Sequence, residues 1–304
     1  MRPPRPSILG ILCLAMFPLS GAAQSILGTP DAYLGQDPPG DVPKEFAPDI
    51  LADKGMMVLG RIAITHDGRE IVYDQAPAMY GTKDLVVKSV EFDGRAWGAP
   101  HVLKFSHYVQ DPTLDLDGKH LLFMNDHGES VRSERTAQGW SDPQLFLKGK
   151  KFMLYNLMPV LSGDYYLGTN GTWGKSDDWN SVRFAKASVS GADILVHDLG
   201  SPLNEPGFNG DFYVAPDESY MVVSANETPD FECELFISFR HSDGTWSKPV
   251  SLGSRINDGP AHRWGAFVSP DGKYLFYTRG TEKGGCAIFW VRFDTLLMAL
   301  RPSA

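Results

Sequence analysis

Val268-Ser-Pro-Asp-Gly-Lys-Tyr-Leu-Phe-Tyr-Thr278 is the stretch that decides the fold. An apolar start enters Pro-Asp-Gly, and an alternating apolar run leaves it. Gly accepts the left-handed φ of a tight turn and Asp bonds its own backbone there, so the stretch predicts a β-hairpin. Four more copies precede it: ITHDGREIVY from Ile64, LDLDGKHLLF from Leu114, VLSGDYYLG from Val160 and VAPDESYMVV from Val214. Their turns fall at Asp67, Asp117, Gly163, Asp217 and Asp271, at steps of 50, 46, 54 and 54 residues. A repeat of that length written only in strands predicts propeller blades.

A second repeat lies between the hairpins. Trp97-Gly-Ala-Pro-His-Val-Leu103, Trp140-Ser-Asp-Pro-Gln-Leu-Phe146 and Trp246-Ser-Lys-Pro-Val-Ser-Leu252 each read as a turn feeding the outermost strand of a blade. Pro is tolerated there because an edge strand has N–H groups with no ladder partner. The Val160 blade offers Asp193-Ile-Leu-Val196 instead, and the last blade has no such strand after CAIFWVRF from Cys286. The missing strand is expected at the other end, where Glu45–Leu51 (EFAPDIL) carries the same Pro-x-x-Leu ending. Pairing it with the last blade closes the ring and removes the open edges. The expectation is an all-β chain: a single five-bladed propeller of four-stranded blades over residues 45–304.

Residues 1–23 read as a cleaved signal peptide: Arg2 and Arg5, an apolar run from Ile8 to Leu19, then Gly21-Ala22-Ala23. That run is too short to span a bilayer. A periplasmic or secreted location and a mature chain with no transmembrane segment follow. Residues 24–44, rich in Pro, Gly and Asp, read as an extended lead-in. Losing Arg2 and Arg5 deepens the net charge from −9 to −11, which disfavours nucleic acid, whose phosphates require Lys and Arg clusters. Cys233 and Cys286 occupy equivalent positions in neighbouring blades. Such positions diverge from the axis, so two free thiols are expected rather than a bridge.

The hairpin SPDGKYLFYT, its variant APDESYMVV, the Gly-x-Trp-Ser-x-Pro turn and the lead-in YLGQDPPG followed by FAPDIL together resemble the WD-like repeats of TolB-type periplasmic β-propeller proteins. The resemblance covers nearly all the mature chain and implies fold and compartment. Activity is not implied, because such repeats occur in scaffolds, in sugar lyases and beside serine-peptidase domains. No Gly-x-Ser-x-Gly elbow is present, which sets a peptidase aside. The N-terminal α/β domain of TolB itself is missing too, so a role in the Tol system does not carry over.

Within a blade the innermost strand comes first, so the Asp-Gly turns share one face and the longer, more varied loops share the other. Function usually sits on such loops. Counting six residues back from each turn reaches the mouth of the central channel at Arg61, Asp111, Leu157 (or Asn156, if the gap falls differently), Asp211 and Gly265. His107, Tyr108, Gln110, Asn209, His262, Arg263 and Trp264 lie just outside. The same face receives the loops NDHGES from Asn125, NGTWGKSDDWN from Asn170, NET from Asn226 and RGTEK from Arg279.

Three readings of this mouth stand open. Asp111 and Asp211 can be blade latches, bonded to backbone N–H groups or to Arg61 and Arg263. Arg61, His107, Asp111, Asp211, His262, Arg263 and Trp264 can line a binding mouth, with Trp173 and Trp179 adding aromatic faces for sugar rings. Or two carboxylates about 5–9 Å apart can serve a glycoside hydrolase or lyase. No cofactor is expected, although His107, Asp111, Asp211 and His262 would suit a divalent metal if they converged. The reading chosen is a recognition or scaffold protein for a glycan, a peptide or an envelope protein, with a carbohydrate-active enzyme as the alternative.

Overall fold

Each hairpin forms where the Asp-Gly repeat places it, and five such hairpins are the inner pairs of five sheets set around one axis. The computed structural model describes residues 24–79, 84–105, 108–149, 153–170, 181–191, 193–205, 208–225, 228, 230, 232–281 and 284–302. The signal-peptide reading of residues 1–23 therefore lies outside the described residues. So do His107, Trp173 and Trp179, most of the loops from Asn170 and Asn226, and residues 282–283 of the loop from Arg279.

After a 3-10 turn at Tyr33–Gly35 come a two-residue strand, β1 (Lys44–Glu45), and a short helix, α1 (Pro48–Leu51). The first blade follows as β2 (Met57–Ile64), β3 (Glu70–Ala76), β4 (Val86–Glu91) and β5 (His101–Val102). The second holds β6 (Val109–Leu114), β7 (His120–Asn125), β8 (Ser130–Thr136), the short β9 (Gly139–Trp140) and β10 (Gln144–Leu147). The third is β11 (Tyr155–Pro159), β12 (Tyr165–Thr169), β13 (Arg183–Ser190) and β14 (Asp193–Asp198). The fourth is β15 (Phe208–Val214), β16 (Tyr220–Ala225), β17 (Glu234–Phe239) and β18 (Val250–Ser251). The fifth is β19 (His262–Val268), β20 (Tyr274–Thr281) and β21 (Gly285–Arg292), after which α2 (Asp294–Leu300) ends the fold. All neighbouring strands pair antiparallel, in the order inner to outer.

The fourth strand of the fifth blade is β1, which pairs Lys44 with Trp290 and Glu45 with Phe289. The ring is therefore closed by its N-terminal strand. That strand is shorter than Glu45–Leu51, and starts one residue earlier. The Phe46 N–H still bonds the Ile288 carbonyl at 2.8 Å, but Ala47 turns to φ 48°, ψ 50° and Pro48 opens α1. Proline at a first helical position lacks only an N–H that would be unbonded anyway. Phe46 is buried against Phe276 and Trp290, with ring centroids 5.0 and 5.1 Å away.

The Trp turns also take their expected place. Trp97 and Trp246 bridge back to Phe92 and Arg240, while β9 pairs Trp140 with Arg135 of the third strand. The outermost strands then run on from each. Residues 24–43 cross the hairpin-turn face from blade one to blade five. The Ile26 N–H bonds the Asp67 carbonyl, and the Tyr33 hydroxyl donates to Asp271 Oδ1 at 2.8 Å. Cys233 and Cys286 are free thiols. Among the described residues no helix is long and apolar enough to cross a membrane.

Removing the Phe46 ring leaves a hole beside Trp290 at the ring closure. Phe46→Ala is expected to lower stability by about 3–5 kcal/mol, read as a shift of the urea midpoint. A loss under about 1 kcal/mol, below that range, would mean the ring does not depend on this closure.

Candidate functional site

All five inner strands break register at the same height: between Leu59 and Ala63, Gln110 and Thr113, Tyr155 and Met158, Phe208 and Phe212, and Trp264 and Phe267. An extra residue opposite a partner strand bends the chain and re-aims side chains. Here it turns them to the axis. The bulge carries positive φ at Gly60, Asp111, Asn156 and Gly265. Space is tightest at the two glycines, and at Gly265 backbone stands in the way. A Cβ on Gly265 would stand 2.2 Å from the Gly60 carbonyl oxygen, and one on Gly60 would stand 2.7 Å from Asp111 Oδ1. Asp111 and Asn156 tolerate the left-handed region because short polar side chains bond locally there.

Arg61 occupies the axis and reaches every blade. From blade one, its Nε donates to the Ala266 carbonyl at 3.3 Å and one terminal nitrogen donates to Thr113 Oγ1 at 3.1 Å and Asn156 Oδ1 at 3.5 Å. The other donates to the Phe212 carbonyl at 2.7 Å and lies 3.8 Å from Asp211 Oδ1. The guanidinium is wholly buried. It bars the channel.

Asp211 is consumed by the same network. Its Oδ1 accepts from Asn156 Nδ2 at 2.8 Å and its Oδ2 from the Gly265 N–H at 2.8 Å. Burial pushes its carboxyl above the usual range, against the pull of Arg61 and these donors. Asn156, rather than Leu157, is thus the axial residue of the third blade; Leu157 is buried in an apolar cluster.

Asp111 differs. It is half-buried, and burial followed by the negative charge of Asp211 raises its pKa to about 6, although Arg61 opposes both. Its N–H donates to Asp74 Oδ2 at 2.7 Å. Asp74, on β3, escaped the count from the turns. It is 1% exposed, and its Oδ1 has no hydrogen-bond partner. Burial, then the charge of Asp111, pushes its carboxyl well above the ordinary range. The signal for Asp74 lies in comparing second strands. Ser224 and Thr278 occupy the same place and bond the next blade's inner strand, at the Arg263 and Gly60 carbonyls, both at 2.7 Å. Where two blades use a hydroxyl, the first uses a carboxyl, and half of it is left over. Tyr108, whose hydroxyl donates to Gln110 Oε1 at 3.1 Å, stands close enough to feel Asp74, Asp111 and Asp126.

The remaining candidates are placed elsewhere. Arg263 is buried and donates to the carbonyls of Cys233, Ile256, Asp258, Gly259 and Ala261, so it anchors the loop before β19. His262 Nδ1 lies 3.3 Å from Cys233 Sγ, and Trp264 packs on His262 with centroids 4.9 Å apart; both residues are at most 7% exposed. Trp264 therefore offers no open face to a sugar ring. Three metal-ligating groups within 4.8 Å of one another do occur among the described residues, but on the blade-two hairpin: Asp115, Asp117 and His120. There His120 Nδ1 already lies 2.7 Å from Asp117 Oδ2. On that hairpin-turn face the channel opens as a funnel of about 450 Å³, with Arg61 as its floor.

No protein-family model and no curated protein matches the chain. Among solved structures it is similar to a Xanthomonas campestris gluconolactonase (15% identity, TM-score 0.48, 84% of this chain and 87% of that one). A Dyadobacter fermentans protein of unknown function is similar too (15%, 0.46, 86% and 85%). So is a puromycin-hydrolysing peptidase of Mycobacterium tuberculosis (15%, 0.42), of which the chain spans 38% while 81% of its own length is covered. These likenesses carry no information about chemistry.

Two outcomes follow from the axial network. Arg61→Met strands the buried Asp211 charge and is expected to cost about 3–5 kcal/mol, measured by urea unfolding. An unchanged midpoint would show that the axis bears no such charge. The second concerns pH. Because the folded state holds the Asp111 proton up to about pH 6 while an unfolded Asp releases it near pH 4, wild-type stability from this group falls as pH rises through that window. Asp111→Asn removes that dependence. Its stability relative to wild type should rise between pH 4 and 6, and a flat difference would contradict the raised pKa.

Proposed function

We propose that this chain is a secreted or periplasmic recognition propeller of the TolB-type repeat class, which takes its ligand at the channel mouth beside Asp111. What supports this reading is the Asp74–Asp111 pair. Asp111 is held half-exposed at φ 56°, and strain of that kind concentrates at functional sites. Behind it, Asp74 supplies a carboxyl where Ser224 and Thr278 make do with hydroxyls. No cationic side chain pairs with Asp74 among the described residues. The mouth therefore presents the partly exposed Asp111 carboxyl of this pair, which sugar hydroxyls or a peptide amine can meet.

The enzyme alternative asks for two carboxylates that both reach a substrate. Asp211 has both oxygens engaged by Asn156 and Gly265, and Asp74 is sealed in. Of these three carboxyls, Asp111 alone is left to touch a ligand. Recognition needs no more than that.

A panel of oligosaccharides and short peptides, titrated against the full chain by calorimetry, tests the reading. Asp111→Asn keeps the backbone N–H donated to Asp74 and should weaken binding about tenfold, the loss of one good charged hydrogen bond. Equal affinity in the variant would remove the ligand from Asp111. Turnover of a bound oligosaccharide would replace recognition with catalysis.

A further inference from the structure

The funnel on the hairpin-turn face stands apart from the mouth just described, across the Arg61 bar. Its volume of about 450 Å³ falls within the roughly 300–1,000 Å³ of ligand pockets. The walls are apolar: Leu116, Met158, Leu161, Val214 and Phe267 face it, and Leu161 at the lip is 71% exposed. Its floor offers no free donor to an anion, because the Arg61 nitrogens are bonded to Ala266, Thr113, Asn156 and Phe212. No tryptophan lines it, and Tyr213 and Tyr220 are at most 8% exposed, so Phe267 is its one partly exposed aromatic ring among the described residues.

The lip is acidic. Asp217 lines the funnel, and its carboxylate caps the Ser219 N–H at 3.1 Å and hydroxyl at 2.7 Å. It has no ion pair among the described residues. Asp115 and Asp117 flank the lining residue Leu116 on the blade-two hairpin, two blades round the ring, where Asp117 already faces His120. Of the basic residues on these hairpins, Arg69 donates to the Gln24 carbonyl and covers the Phe92 ring, Lys273 sits 3.7 Å from Asp271, His66 lines the funnel, and Lys119 lies exposed among the blade-two acids. An apolar throat with a negative lip accepts an apolar group whose neighbours are positive.

We propose that this funnel docks a peptide segment of a partner protein, which inserts one large apolar side chain and sets flanking Lys or Arg residues against Asp217 and the blade-two hairpin acids. Leu161, Met158 and Asp217 are its determining residues. The insertion buries apolar surface, which supplies the affinity, and the lip charges select the sequence.

Methionine-methyl NMR of the full chain tests this, with the Met158 signal assigned through Met158→Leu. The probes are acetyl-Lys-Phe-Lys-amide and acetyl-Glu-Phe-Glu-amide. The lysine peptide should move the Met158 signal saturably and bind about three- to tenfold more tightly than the glutamate peptide, as expected of exposed charge pairs. Asp217→Asn, which keeps the cap on Ser219, should narrow that gap, and Leu161→Trp, at an exposed position, should abolish the shift by filling the lip. No Met158 shift with either peptide, or equal affinity for both, overturns the proposal. So does octylammonium shifting the signal where the lysine peptide does not, since the site would then belong to free amphiphiles. None of these results touches the ligand at Asp111, which lies on the other face.

Discussion

One guanidinium on the axis holds five blades in register. Blades of a propeller meet through apolar wedges, and such contacts are tolerant of sliding because the hydrophobic effect has no direction. Arg61 adds direction. Its donors fix the height of β19 through Ala266, of β6 through Thr113, of β11 through Asn156 and of β15 through Phe212. A buried charge is costly unless every lone pair and proton around it is matched, so the five bulged strands have one arrangement that satisfies it.

The same requirement explains why the mouth is chemically poorer than a count of its charged residues implies. Asp211 and Asn156 complete the coordination of Arg61, and Arg263 does for the 256–261 loop what Arg61 does for the axis. What is left partly exposed is Asp111, over a buried Asp74 with one oxygen unanswered. The two arginines build the scaffold, and the acid pair is the part of it that they leave unbalanced.

The ring, its blade number and its closure were legible in the sequence because they are written as periodicity: Asp-Gly turns about fifty residues apart and Trp turns between them. The axial positions were legible for the same reason, since counting back from a turn finds Arg61, Asp111 and Asp211 in any blade of regular length. Their roles were not. Whether a carboxylate is free or consumed depends on backbone groups such as the Phe212 carbonyl and the Gly265 N–H, which no side-chain pattern announces. Asp74 was missed because it sits on the second strand, where only alignment with Ser224 and Thr278 marks it. The N-terminal strand was overextended because Pro-Asp-Ile-Leu reads equally as an edge strand or as the first turn of a helix.

Closure by β1 also sets the order in which the molecule can become complete. Residues 44–46 emerge from the ribosome long before their partners on β21. Until then Phe46 has no pocket, and blade one has no neighbour on its open side. Blades one to four can assemble as local units during synthesis, whereas the final junction joins segments almost 250 residues apart. Contacts of that separation form slowly, because their loop must be closed before they reward it. The growing chain is therefore an open arc with two sticky ends, and it becomes a ring only when its last strand has arrived.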